Sequence, residues 1–243
     1  PSRFEQRVLD ALAGKNLICF WAHPEADDHA EYRHMGVKFA IDTRPYPDLL
    51  LKTRGYTGFA GLNEGENNLL NPGSAWDEAL GEYLAGMRSP PPWCFGEMLY
   101  HHEGQAGKII SNVENMVWAR EKKAEALLDS IRRGFFYARI NHKGQSLALE
   151  RWQVNGLESG RTGHAQGGSV NVSLAVASKI PGEKLEALVI RNGEVVKKAQ
   201  EASPLELAFE DNLPPGETNF LYRAVVRGKY PLRLATNPVF IRR

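Results

Sequence analysis

Leu17-Ile18-Cys19-Phe20-Trp21-Ala22-His23-Pro24-Glu25 is the stretch on which the reading of this chain turns. The unbroken apolar run from Leu17 to Ala22 predicts a strand buried on both faces, since a half-exposed strand would alternate. It ends on a histidine, and Pro24 blocks continuation as a helix. Before it, Ser2 and Glu5 have capping-box spacing, Phe4, Val8, Leu9 and Leu12 share a helical face, and Gly14 is a stop. After it, Phe39 to Ile41 and Gly58 to Leu62 predict shorter strands. Ser74 begins a helix whose face is Trp76, Ala79, Leu80, Tyr83 and Leu84, closed by Gly86. Pro90, Pro91 and Pro92 force an extended approach into Trp93-Cys94-Phe95. Val113 to Ala119 predicts a further strand, and Ala124, Leu127, Leu128 and Ile131 a helix that ends before Gly134. Strands and helices in turn predict an α/β domain, layered or barrel, over residues 1–140.

Beyond residue 145 the hydrophobic period becomes two. Leu147 and Leu149 alternate with polar neighbours, as do Val170, Val172, Leu174 and Val176. So do Leu205, Leu207 and Phe209, and Phe220, Tyr222, Ala224 and Val226. Between Leu188-Val189-Ile190-Arg191 and Glu194-Val195-Val196, Asn192-Gly193 has the chemistry of a type I′ hairpin turn. Residues 145–243 therefore predict a second, all-β domain, an antiparallel immunoglobulin-like sandwich.

Composition narrows the function classes. With 243 residues, 42% hydrophobic and 24% charged, the chain has the make-up of a soluble globular protein. A net charge of +1 gives no field to gather nucleic acid or an anionic membrane. Aromatic residues are not interleaved with Lys or Arg along a strand face, so no nucleic-acid partner is expected. No apolar run reaches bilayer length, so no membrane span is expected either. The compartment stays open between the cytoplasm and export after removal of a signal. Cys19 and Cys94, one in each of two apolar runs, predict buried free thiols rather than a disulfide framework.

The candidates for chemistry are histidines and acids. His23 follows a predicted buried strand, and strand ends are where α/β barrels carry ligands and catalytic groups; a backbone-capping histidine is the competing explanation. His101 and His102 close the apolar stretch that begins at Trp93, and imidazole ligates zinc, iron or manganese. His29 and His34 lie in a polar stretch that predicts a solvated helical face, and His142 and His164 lie in loop-like contexts. Glu25 stands two residues past His23 and Glu97 four before His101; each can be a ligand, a general base or a surface charge. No nucleophile elbow, phosphate-binding glycine loop or Cys-x-x-Cys occurs.

The order of these pieces resembles the C-terminal part of the PHP (polymerase-and-histidinol-phosphatase) domain family. Ile18 to Glu25 resembles the family's apolar strand ending in Ala-His-Pro, and Thr57 to Asn63 its following strand ending in Asn. Ala75 to Leu80 resembles the Trp-Asp-x-x-Leu helix, Trp93 to His101 the strand ending in Asp-x-His, and Val117 to Ala138 the closing strand and helix. The resemblance runs over about residues 4–138, and residues 145–243 are similar to the β-sandwich tail of some such proteins. It implies a partial, distorted β/α barrel and a metal-dependent phosphoesterase using a divalent Zn, Mn or Fe. His23 and His101 then fall on metal-ligand positions, with Glu25, His102, Asn63 and Glu97 as supporting or alternative groups. The family's opening His-x-His does not occur in the chain, and Leu99 stands where the Asp of Asp-x-His belongs. The resemblance thus implies a homologue incomplete and inactive as it stands, with a divalent metal or with none, its barrel completed by an upstream segment or another copy. A non-catalytic binding or scaffold protein is the alternative.

Overall fold

The structure is a computed structural model that describes residues 3–13, 15, 17–63, 65, 67–100 and 108–243. Its first elements are α1 (Arg3–Ala13), β1 (Phe20–Trp21), β2 (Asp28–His34), β3 (Val37–Thr43), α2 (Leu49–Lys52) and β4 (Gly58–Leu62). A 3₁₀ turn at Asn68–Leu70 precedes α3 (Ala75–Leu84), β5 (Trp93–Gly96), β6 (Val113–Val117) and α4 (Ala124–Arg132). Strands then follow one another: β7 (Phe136–His142), β8 (Gln145–Val154), β9 (Thr162–His164), β10 (Ser169–Ser178) and β11 (Lys184–Arg191). The last are β12 (Glu194–Ala202), β13 (Leu205–Asn212), β14 (Asn219–Arg227), β15 (Arg233–Thr236) and β16 (Val239–Arg242).

These strands form three sheets. β1, β4 and β5 make a three-stranded parallel sheet with β4 in the middle. β2 and β3 pair only with each other, antiparallel. The other strands join an 11-stranded sheet whose main path is β12-β11-β14-β15-β7-β8-β10-β13. The molecule is mainly β, and the expected α/β barrel followed by an immunoglobulin-like sandwich is corrected accordingly. The physical reason lies in strand direction. A barrel needs its strands parallel and in sequence, whereas β2 and β3 close on themselves through Met35-Gly36. β6 and β7 pair antiparallel inside the large sheet. The Asp28–His34 segment is accordingly a strand and not the solvated helix that its polarity suggested; Met35 and Gly36 carry φ of 47° and 79°, the two positive values of a tight hairpin turn.

The large sheet folds back so that β8, β10 and β13 face β11, β14 and β15 across one apolar core. That core holds Trp152, Val172, Leu174, Leu205, Val189, Tyr222, Ala224 and Leu234. A second core lies on the other face of β7, β11, β14 and β16, where Phe136, Ile190, Leu221, Val225 and Phe240 meet Leu50, Phe59, Trp76, Leu80, Trp93 and Phe95. β14 is therefore buried on both faces. Its even-numbered residues enter the first core and its odd-numbered ones the second.

Arg223, on the second face, is fully buried and forks onto Asp77 of α3, with Nε and Nη2 each 2.6 Å from a carboxylate oxygen. The α3 face expected from its spacing is buried at Trp76, Ala79 and Leu80. By contrast, Phe4 and Val8 of α1 and Leu127 and Leu128 of α4 stay exposed, so those two helices bury less than their patterns suggest.

Candidate functional site

The parallel sheet sets the site. Because β1, β4 and β5 run the same way, the residues just past their C-terminal ends come together: His23 after β1, Asn63 after β4 and Glu97 after β5. Ligand sites of open parallel sheets lie at this edge. The outer edge of β5 is finished by side chains instead of a strand. Asn237 Oδ1 accepts from Cys94 N at 2.8 Å, and the Asn115 amide bridges both Gly96 N and Gly96 O at 2.8 Å. Those contacts fix where β5 ends, and hence where Glu97 stands.

Glu97 and His23 are in direct contact. Glu97 Oε2 accepts the His23 backbone N–H at 2.7 Å, and the carboxylate lies 3.2–3.3 Å from His23 Nδ1. A carboxylate accepts only, so Nδ1 carries a proton, and in the neutral ring the lone pair is then on Nε2. His23 holds a φ of 28°, a region costly for a residue with a Cβ. Glu25 Oε2 accepts from Leu69 N at 3.0 Å, which ties the His23-Pro24-Glu25 segment to the 3₁₀ turn. The loop after β4 is knit by amides: Asn67 Oδ1 accepts from Asn63 N and Asn63 Oδ1 from Gly65 N, both at 2.7 Å.

These groups border one cleft of about 600 Å³, lined by His23, Glu25, Asp27, Asn63, Asn68 and Glu97, with Leu99 and Lys108 at its wall. Pro45 and Pro47, on the return from β3, form another side. Between them Tyr46 packs edge-on to Trp21 at 5.8 Å and donates its phenol to Ala22 O. Burial and the nearby Glu97 carboxylate raise the Tyr46 pKa above its ordinary 10.0, which keeps the phenol a neutral donor.

Neither a known protein family, nor a curated protein, nor a solved structure matches this chain.

The structure thus brings His23, Glu25, Asn63 and Glu97 to one cleft, while His101 and His102 lie outside the described residues. Asn68, Lys108 and Tyr46 were missed. Lys108 and Asn68 stand in sequence contexts with no periodic signal, but Pro45-Tyr46-Pro47 is a rigid three-residue motif that a closer reading would have marked. Three carboxylates, an imidazole and an amide are donors suited to a divalent cation. Among the described residues, however, no three His, Cys, Asp or Glu side chains converge as a ligand set. Both cysteines are free. Cys94 is no nucleophile: burial pushes its thiol up to about 12.

Proposed function

We propose that this cleft is the site of a phosphate-ester hydrolase of PHP-like type. The observation that carries the reading is the His23–Glu97 pair at the C-terminal edge of the parallel sheet, with Glu25, Asp27 and Asn63 around the same space. The resemblance of the strand-end motifs supports it independently of that geometry.

Charge decides what the substrate needs. Among the described residues, Glu25, Asp27 and Glu97 face the cleft against the one ammonium of Lys108, so a bare phosphate monoester would meet net repulsion. A divalent cation such as Zn, Mn or Fe, when bound, would offset that charge and polarise the phosphoryl group. The protein's own part is acid–base work and positioning. Glu97 holds the Nδ1–H tautomer and leaves Nε2 to accept a proton from water or to return one to a leaving oxygen. Glu25, anchored on Leu69 N, borders the same cleft. The amide-knit loop from Asn63 to Asn67 holds Asn63 at the wall.

A second reading, a binding protein without turnover, rests on Leu99. It lines the cleft where the family motif has a carboxylate, and a leucine neither ligates a cation nor moves a proton. One assay separates the two. The purified chain is titrated with Mn²⁺, Zn²⁺ and Fe²⁺, and hydrolysis of p-nitrophenyl phosphate is followed with and without His23→Ala. Metal-dependent turnover that falls by about 100-fold or more in the variant is expected for the hydrolase. Ligand-induced stabilisation without turnover in any metal would establish the binding reading instead.

A further inference from the structure

Tyr46 grips the chain on both sides of His23. Its backbone N–H donates to Pro24 O at 2.8 Å, and its phenol donates to Ala22 O. Two more bonds hold the same residue: His23 N to Glu97 Oε2 at 2.7 Å, and Ala26 N to His23 O at 3.0 Å. A non-glycine residue at positive φ costs on the order of 1–3 kcal/mol and persists only when its surroundings over-determine it. Of the four bonds, two come from one tyrosine, and that tyrosine is stiffened by Pro45 and Pro47 and by the Trp21 ring. Trp21 is itself tied down, its indole N–H donating to Thr53 Oγ1 at 3.2 Å.

We propose that Tyr46 is the positioning residue of the site: it holds the strained His23 backbone, and so keeps Nδ1 on Glu97 and Nε2 toward the cleft. Tyr46 does this through Ala22 and Pro24 and does not itself bond the imidazole. Since Tyr46 lies on the segment that returns from β3, the hairpin β2–β3 is mechanically linked to His23 through it. Anything that displaces the hairpin's base, at Ala26-Asp27 on one side and Pro45 on the other, releases the imidazole. The inference rests on the reading of His23 as the central group, but its test needs no substrate.

The experiment is ¹⁵N imidazole spectroscopy of the full chain, comparing wild type with Tyr46→Phe, which keeps the ring against Trp21 and removes only the phenolic donor. The expected wild-type spectrum has His23 held as the Nδ1–H tautomer. In Y46F that population falls at least about twofold toward the mixture of a free imidazole, as it also does in Glu97→Gln, while the His142 signal stays unchanged. A His23 tautomer in Y46F equal to wild type overturns the proposal. Should Y46F fail to fold, Pro45→Gly frees the same segment with the phenol in place; an unshifted His23 there overturns the proposal, and a shifted one supports it. Where hydrolysis is found, Y46F lowers kcat about tenfold with KM little changed, because the lost contact orients a proton-transfer group and binds no substrate. Absence of hydrolysis in wild type counts against the hydrolase alone, since the tautomer reading is independent of it.

Discussion

Arg223 is fully buried, and each of its three guanidinium nitrogens is hydrogen-bonded. Nε and Nη2 bond Asp77, Nη1 reaches Leu70 O at 2.9 Å, Nη2 also reaches Asn71 O at 3.1 Å, and the guanidinium lies 4.6 Å from the centre of the Trp76 ring. A buried pair stabilises little over an apolar replacement, whereas removing one partner strands a charge. Asp77→Ala and Arg223→Met are therefore each expected to cost about 3–5 kcal/mol in urea unfolding. The double variant Asp77→Ala with Arg223→Met should cost clearly less than the sum, with a coupling of about 1–3 kcal/mol. Strict additivity would show that the pair is not an energetic unit. Both residues were visible in the sequence, Asp77 in the Trp-Asp-x-x-Leu motif and Arg223 beside Tyr222, but nothing local joins positions 146 residues apart. The same holds for His23 and Glu97, 74 apart. His23 was a candidate from its strand end and Glu97 from its spacing to His101; only the parallel pairing made them partners.

Single elements were legible where their signal is local, and the β11–β12 hairpin is the clearest case. Asn192 and Gly193 carry φ of 48° and 87°, and Arg191 pairs with Glu194 directly across the turn. Asn192 also works beyond its turn, its Oδ1 accepting from Leu221 N at 2.9 Å. Gly193→Val should destabilise by about 1–3 kcal/mol, because a β-branched residue resists positive φ. The added Cβ would stand at ordinary contact distance, 3.4 Å from Gly73 Cα and 3.5 Å from Asp77 Cβ, so the cost is that of the backbone conformation. A melting temperature within about 1 °C of wild type would contradict this. Of the hairpin β2–β3, only β3 was legible, from Phe39 to Ile41. In β2, Asp28, His29, Glu31, Arg33 and His34 are polar, and His29, Glu31 and Arg33 are exposed, so no buried face imprints a period of two, and Met35-Gly36 is a weaker turn signal than Asn-Gly. β14 shows the opposite limit. Phe220, Tyr222, Ala224 and Val226 read correctly as one face, but Leu221 and Val225 show that the other face is buried too, which alternation alone does not reveal.

At the scale of the whole molecule, the question is whether residues 145–243 stand alone, as their strict alternation suggests. The packing argues against it. Cutting before β8 removes β7, the partner of β15 through Leu234–Arg139, Ala235–Ala138 and Thr236–Tyr137. It also takes both partners of the buried Asn237 side chain, Cys94 N and Phe136 O. On the second face of the sheet, Ile190, Leu221, Val225 and Phe240 would pass from nearly complete burial to water. Each such side chain is worth about 1.5–3 kcal/mol when buried. Together they amount to roughly 6–12 kcal/mol, as much as the about 5–15 kcal/mol by which a whole domain is stable. The first core, between β8, β10, β13 and β11, β14, would have to hold the sheet alone while its far side presents a contiguous apolar patch. The isolated 145–243 segment is therefore expected to show strand-type circular dichroism without a cooperative urea transition, and to bind a hydrophobic dye. The 243-residue chain should unfold in one transition that dims signals from both cores together, because Arg223–Asp77 and the shared faces of β14 tie them. A dispersed NMR spectrum and a sharp urea transition for 145–243 would overturn this, and would mean that the first core carries more of the stability than its burial indicates.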